Sequence, residues 1–329
     1  MNTQQIQKQV QKLVKQQKVL GVSWGTIEGE MRSQYYEGVM GCVPPVNKRK
    51  LTGGQIYDLA SLTKAMGTAT RMLQLIDNKQ ITFSTKIADI LPAYQFLTCT
   101  IEDLLLHRGG LPADLVDKTK VTKSTIRQYL MTYSIPPNQI TMYSDLGYFL
   151  LGEVISTLGK CSLAVDYQQH LFQPMKMKRT GYQVYDKEMA VPTEITRKRG
   201  MIQGIVHDSK AYQLKEPIGS AGLFSSLTDV LTFADCLLNN QFPNGRPLFS
   251  KAMYTRLCAT NVENRTLGWE RKQTSHKEPY LYHTGFTGTS IGLHLEKKEA
   301  LILLSNRIHP NREDLGFLET RATIYNEYF

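Results

Sequence analysis

Residues 58–68 read DLASLTKAMGT. Ser61 stands three positions before Lys64, at the head of a run whose apolar residues Leu62, Ala65, Met66, Ala69, Met72, Leu73 and Ile76 recur at helical spacing. The first turn of a helix leaves backbone N–H groups unpaired and carries the positive end of the helix dipole, so negative charge developing at Ser61 is favoured there. Residues three apart on a helix share a face, which brings Lys64 beside the serine. A buried lysine next to a serine either loses its proton and acts as a base, or stays charged and eases the ionisation of a neighbour. Roughly one Ser-x-x-Lys is expected by chance in a chain of 329 residues, and serine also caps helices. This stretch alone leaves nucleophile and cap open.

A companion lies at Met142-Tyr143-Ser144-Asp145-Leu146-Gly147-Tyr148, followed by the helical pattern FLLGEVISTLG. A tyrosine hydroxyl near a lysine ammonium is eased toward the phenolate, and such a tyrosine can take a proton from a serine and later activate a water. Taken alone, Tyr143 is also an ordinary aromatic. A third stretch, His283-Thr284-Gly285-Phe286-Thr287-Gly288-Thr289, precedes an expected strand pair. Small residues let a substrate lie along a strand edge, and a backbone N–H near Phe286 can complete an oxyanion hole with that of Ser61. Glycine-rich turns are common without such a role. Two Gly-x-Ser-x-Gly matches, around Ser23 and Ser290, lack the strand-then-helix context of a nucleophile elbow: Ser23 falls inside an expected strand and Ser290 begins one.

The elements that must position these residues follow from periodicity. Ile6, Val10, Leu13 and Val14 make the apolar stripe of an opening helix whose other face is Gln and Lys; packing on a sheet suits so narrow a stripe better than lying on a membrane. Val22 to Ile27 and Met31 to Tyr36 read as strands joined by a turn at Glu28-Gly29-Glu30. The middle, from Ser61 to about Leu238, is helix-rich. Strands return after Gly268, at Ser290 to Leu295 and Ala300 to Asn306, and Leu315 to Tyr328 closes as a helix. The expected fold is α+β, a single domain over 1–329: an antiparallel sheet lobe of about 1–57 and 268–329 and an inserted helical lobe of about 58–267. A cleft between the two parts is the expected place for a ligand.

Composition narrows the class. The chain is 41% hydrophobic and 21% charged, and no run of eighteen apolar residues stands out to span a membrane. The opening MNTQQIQKQVQKLVKQQ lacks the apolar core of a signal peptide, and the five cysteines, Cys42, Cys99, Cys161, Cys236 and Cys258, are scattered without Cys-x-x-Cys spacing. Together these suggest the cytoplasm and argue against a disulfide framework. The seven histidines form no HExxH or HxH pair, so neither a metal nor a cofactor is expected. The net charge of +10 comes from separated clusters: Lys8, Lys12, Lys15 and Lys18, then Lys48 to Lys50, then Arg197 to Arg199. No nucleic-acid-binding motif accompanies them, and a solvated basic surface is the simpler reading.

The order SxxK, YxD, HTG resembles the serine beta-lactamase and penicillin-binding protein superfamily, specifically its class C-like branch of beta-lactamases, D,D-peptidases and esterases, whose usual signatures are SxxK, YxN and KTG. Further matches are the run TIEDLLLH at 100–107 with Gly110-Leu111-Pro112, the run GSAGLFSS at 219–226, Val206-His207-Asp208, and the region from HTGFTGTS to LSNRIHP. The resemblance implies a beta-lactamase/transpeptidase-like sandwich, with the sheet flanked by terminal helices. It implies Ser61 as acylated nucleophile, Lys64 and Tyr143 as its proton-transfer partners, and the backbone of Ser61 and Phe286 as oxyanion donors. Asp145, His283, Thr284 and Gly285 then line the substrate.

Two of these positions depart from the pattern. His283 stands where the family has lysine, and histidine at its reference pKa of about 6.5 is mostly neutral at pH 7, which weakens recognition of a substrate carboxylate. Asp145 replaces an asparagine. An ionised carboxylate only accepts hydrogen bonds, so Asp145 holds Lys64, attracts a substrate ammonium, or makes a local structural bond. His207 and Asp208 fit a loop-fixing role better than catalysis. The expected function is a serine hydrolase acting through an acyl-enzyme on ester, D-alanyl peptide or beta-lactam carbonyls, with esters and D-alanyl peptides favoured over efficient beta-lactam hydrolysis. The alternative is a penicillin-binding or sensor module with little turnover. The expected partner is a small-molecule or peptidoglycan-related acyl substrate, not nucleic acid.

Overall fold

The computed structural model describes residues 3–134 and 141–329. Its strands are β1 (Gly21–Glu28), β2 (Met31–Gly38), β3 (Tyr57–Asp58), β4 (Ile195–Thr196), β5 (Gly200–Met201), β6 (Phe224–Ser225), β7 (Arg265–Thr266), β8 (Trp269–Gln273), β9 (Pro279–Thr284), β10 (Ser290–His294) and β11 (Glu299–Ser305). Seven of them form one antiparallel sheet in the order β2-β1-β11-β10-β9-β8-β7. Chain direction explains the seam: the opening hairpin joins the closing strands where Val22 pairs with Ser305 and Glu28 with Glu299.

Alternation along the central strands assigns the two faces. Val22 and Trp24 on β1 and Leu301 and Leu303 on β11 pack with Ile6, Val10 and Leu13 of the opening helix Thr3–Lys15 and with Phe317, Ile324 and Tyr325 of the closing helix Phe317–Tyr328. The intervening Ile27, Ala300, Ile302 and Leu304 point the other way, into a larger core shared with the helix Leu227–Leu238 and the helical lobe. A strand period of two therefore places successive residues in different cores, and the sheet is covered on both faces. Buried apolar side chains at about 25 cal/mol per Å² drive both layers together.

The helical lobe is built around Asp145–Gly159, apolar on nearly every side and buried from Leu146 to Gly152. No single helix among the described residues is long and apolar enough to cross a membrane. Ser23 and Ser290 lie within strands, as their context suggested; Ser23 Oγ sits 2.7 Å from the Tyr57 hydroxyl and Ser290 Oγ accepts from Tyr325 at 3.1 Å.

Candidate active site

Ser61 follows a short strand and a tight turn. β3 pairs with β6, Leu59 N–H donates to Leu223 C=O at 2.8 Å, and Ala60 then takes φ of +46°, a left-handed conformation that a side chain adopts at a cost. The turn is held by Asp58, whose buried carboxylate accepts from Ala60 N–H at 2.8 Å and from His207 N–H at 2.7 Å. Beyond Ser61 the chain runs on as helix. Residues Lys64–Ala69 form a π-helical segment before the α-helix Thr70–Asp77, where simple periodicity suggests a uniform α-helix. Such wide turns recur at functional sites.

Lys64 is completely buried. Its ammonium donates to Ser61 Oγ at 2.9 Å and to the Ser220 carbonyl at 2.8 Å, and lies 2.7 Å from Asp145 Oδ1. Burial works against its charge, but Asp145 and then Tyr143 outweigh it, so the lysine pKa is raised above its ordinary value. The Ser220 carbonyl is delivered by close backbone contact: a Cβ on Gly219 would stand 2.3 Å from the Tyr148 carbonyl oxygen, so only glycine lets this segment lie on the helix Asp145–Gly159.

Tyr143 is exposed at the surface, its ring centroid 5.0 Å from Lys64 Nζ. The segment carrying it is pinned by His107, itself at φ +58°. His107 C=O accepts from Met142 N–H at 2.9 Å, its Nδ1 accepts from Ser144 N–H at 3.0 Å, and its ring lies between Tyr143 and Tyr148. Ser144 then caps the helix Asp145–Gly159, accepting from Gly147 N–H while donating to Pro112 C=O. Burial, with Arg265 and Lys64 behind it, pushes the His107 pKa well below its ordinary value, which keeps Nδ1 free to accept.

The third stretch closes against the first. Thr287 Oγ1 donates to Asp58 C=O at 2.6 Å and Thr289 Oγ1 to Leu59 C=O at 3.0 Å, so the Thr284–Gly285–Phe286 edge lies beside the turn that carries Ser61. Among the described residues, neither Ser61 N–H nor Phe286 N–H is taken up by another group, which is the state an oxyanion hole requires. His283, by contrast, is buried, and its Nδ1 faces Thr284 C=O at 3.0 Å. Burial, and next the Lys64 ammonium, lower its pKa to about 3. It is neutral at every physiological pH and does not replace the charge of the family's lysine.

Sequence reasoning missed three participants. Arg265, at the start of β7, holds its guanidinium 5.6 Å from the Tyr143 ring centroid and bears on both His107 and His283. Among the described residues its side chain has no carboxylate partner. Lys210 is completely buried and meets Asp114 Oδ1 at 2.8 Å, Asp145 Oδ2 at 3.1 Å and Asp208 Oδ2 at 3.3 Å. His107 closes the TIEDLLLH run, and neither its spacing nor the resemblance implied a role for it. Only the basic character of Lys210 and Arg265 is visible in sequence; nothing there distinguishes them from surface charge. His207 and Asp208 hold loops: His207 Nε2 lies 2.8 Å from Glu194 Oε2, its ring stacks on Phe286, and Asp208 Oδ1 accepts from Ala211 N–H at the start of the helix Ser209–Leu214.

A seven-stranded antiparallel sheet covered by terminal helices, with a Ser-Lys pair at the mouth of a helical lobe, defines the serine beta-lactamase and penicillin-binding protein class. A family model described as Beta-lactamase matches residues 6–321, and the chain belongs to that family. It is a serine hydrolase. Curated relatives include an N-acetylmuramyl-L-alanine amidase of Bacillus subtilis (strain 168), 26% identical over 324 residues covering 84% of this chain and 73% of the relative. Another is a putative D-alanyl-D-alanine carboxypeptidase of Escherichia coli (strain K12), 26% identical over 336 residues covering 87% and 75%. The fold is shared with a class C beta lactamase from Rhodobacter sphaeroides (TM-score 0.77, 17% identity, 98% of each chain). It is shared also with EstCE1, a hydrolase with promiscuous acyltransferase activity (TM-score 0.78, 14% identity, 98% of each chain).

Proposed function

We propose that Ser61 is the acylated nucleophile of a hydrolase for D-alanyl peptides and simple esters. The observation that carries this reading is the Lys64 ammonium, held at once by Ser61 Oγ, Ser220 C=O and Asp145. Because Asp145 keeps Lys64 charged, the lysine donates to Ser61 and Tyr143 serves as the base, with the ammonium as its counter-charge. Ser61 Oγ bonds to the substrate carbonyl carbon, its proton passes to Tyr143, and the Ser61 and Phe286 N–H groups receive the oxyanion. Collapse of the tetrahedral intermediate breaks the scissile bond and returns that proton to the leaving amine or alcohol. A water then gives a proton to Tyr143 as its oxygen bonds to the acyl carbon; collapse breaks the bond to Ser61 Oγ, which takes that proton back from Tyr143 as the acid leaves.

Substrate choice is argued from charge. A neutral, buried His283 supplies nothing for a carboxylate, whereas the guanidinium of Arg265, without a carboxylate partner among the described residues, lies 5.6 Å from the Tyr143 ring centroid. Arg265 then binds the terminal carboxylate of a D-alanyl peptide, in keeping with the carboxypeptidase name carried by relatives. Asp145 is already shared by two lysines, which leaves little of its charge for a substrate ammonium.

The test is intact-protein mass spectrometry with a short-chain p-nitrophenyl ester, a D-alanyl-D-alanine peptide and penicillin, alongside steady-state hydrolysis. Turnover of ester and peptide, with adducts absent from Ser61→Ala, is expected. Penicillin turned over faster than either would reverse the substrate assignment, and a lasting penicillin adduct without turnover of any substrate would favour a penicillin-binding sensor. Unchanged turnover in Ser61→Ala would remove the nucleophile.

A further inference from the structure

Lys210 stands behind Asp145, one residue removed from the reacting pair, and the chemistry above gives it no part. The Lys210 ammonium, sealed from solvent, is ringed by Asp114, Asp145 and Asp208, while the other oxygen of Asp145 meets Lys64. Asp114 also pairs with Lys118 at the surface. Three lysines and three carboxylates thus form one continuous charge chain that starts at solvent and ends on the catalytic ammonium. An isolated carboxylate so placed would be costly, and a buried ion whose partner is removed is strongly destabilising. An amide at position 145, as the family has, would demand no such partner.

We propose that Lys210 is a positioning residue for the acyl-transfer reaction: it holds Asp145 ionised and aimed at Lys64, so that residues 145 and 210 function as one unit. The inference rests on the reading of Ser61 and Lys64 given above. Without Lys210, Asp145 faces Asp114 and Asp208 with Lys64 as its one ion-pair partner among the described residues. His107, His283 and Arg265 also feel its charge or border its site, yet both histidines are neutral and the arginine lies beyond Tyr143. Like-charge crowding then favours a protonated Asp145, which no longer keeps Lys64 charged. The sign follows from the fold: Lys64 and Lys210 hold the Asp145 carboxyl far below the carboxylate range despite its burial. Its contribution to stability is present above the unfolded carboxylate pKa and is lost only at strongly acid pH. Removing Lys210 moves that loss, and the acid limb of activity, to higher pH.

The experiment compares wild type, Lys210→Met, Asp145→Asn and the double variant, reading kcat and KM for p-nitrophenyl acetate against pH and the thermal midpoint against pH. Lys210→Met should lower kcat with little change in KM and shift both acid limbs upward. The double variant should be more active than Lys210→Met, with a departure from additivity of roughly tenfold or more. A wild-type pH profile in Lys210→Met, or a double variant no better than that single one, overturns the inference. If Lys210→Met does not fold, the double variant decides alone: a cooperative thermal transition with ester turnover upholds the coupling, and failure to recover either overturns it. A wild type without ester turnover would count against the proposed function, while the acid shift of the thermal midpoint would still read the coupling itself.

Discussion

Gly285 lies against the backbone of Leu59: a Cβ on it would stand 2.4 Å from the Leu59 carbonyl oxygen and 2.2 Å from Thr289 Oγ1. The two stretches that flank the candidate oxyanion hole are therefore spaced by the absence of a side chain. Gly285→Ala must push the Phe286 N–H away from Ser61. We expect kcat to fall by about 10²-fold, the scale for losing one oxyanion donor, with a stability loss of about 1–3 kcal/mol from overpacking. Ester hydrolysis and urea unfolding of the variant check both, and a variant with wild-type kcat would show that Phe286 donates nothing.

Arg265→Gln separates substrates by charge. A hydrogen bond to a charged partner contributes about 1.5–3 kcal/mol, so kcat/KM for D-alanyl-D-alanine peptides should drop by roughly 10- to 100-fold. Hydrolysis of p-nitrophenyl acetate, which has no carboxylate, should stay within about threefold of wild type. Equal losses on both substrates would assign Arg265 to holding Tyr143 instead.

The buried histidines set an acid dependence of stability. His283 has its pKa lowered to about 3 by burial first and the Lys64 charge second, and His107 is lowered as well. A histidine with a lower pKa in the fold than in the unfolded chain gives stability that is whole above about pH 6.5 and is lost as pH falls toward its folded value. Each should contribute a slope of up to about 1.4 kcal/mol per pH unit in that window. Asp58, raised by burial, acts in the opposite direction, so the informative comparison is the slope of wild type against that of His283→Asn between pH 7 and 5. Identical slopes would mean that His283 titrates freely.

Arg71 anchors the helix that follows Ser61, with Nε 2.7 Å from Asp166 Oδ1 and a second nitrogen 3.2 Å from Oδ2, both residues being buried. Arg71→Met strands a carboxylate and should cost about 3–5 kcal/mol, whereas adding Asp166→Leu should restore most of it. Chemical denaturation of the single and double variants measures this directly.

What could be read in advance divides by distance along the chain. Ser61 and Lys64 are three residues apart, so helical spacing alone placed them on one face, and strand patterns at both ends of the chain pointed to one antiparallel sheet built from both termini. The π-helical turn at Lys64–Ala69 was invisible, because every residue from Leu62 to Ile76 is buried and no one-sided apolar stripe records the extra residue per turn. The Ser220 carbonyl, 156 residues from Lys64, has no side-chain signature at all. Lys210 reads as one more surface lysine until Asp114 and Asp145, from distant segments, are seen to enclose it with the neighbouring Asp208. Asp145 was legible as a departure, and of its expected roles the contact with Lys64 is present, beside a second lysine that the sequence did not point to.

The seam between β1 and β11 also bears on how the chain is made. During synthesis the hairpin β1-β2 emerges well before β11, and Glu28 cannot find Glu299 until every residue between them has left the ribosome. Until then β1 offers an apolar edge whose hydrogen-bonding groups are unmatched, the kind of surface on which nascent chains associate. Pairings so distant in sequence also slow folding, since the loop must close before any contact rewards it. Nascent chains arrested before residue 299 should therefore depend on chaperones for solubility, and release of β11 should be the step that frees them.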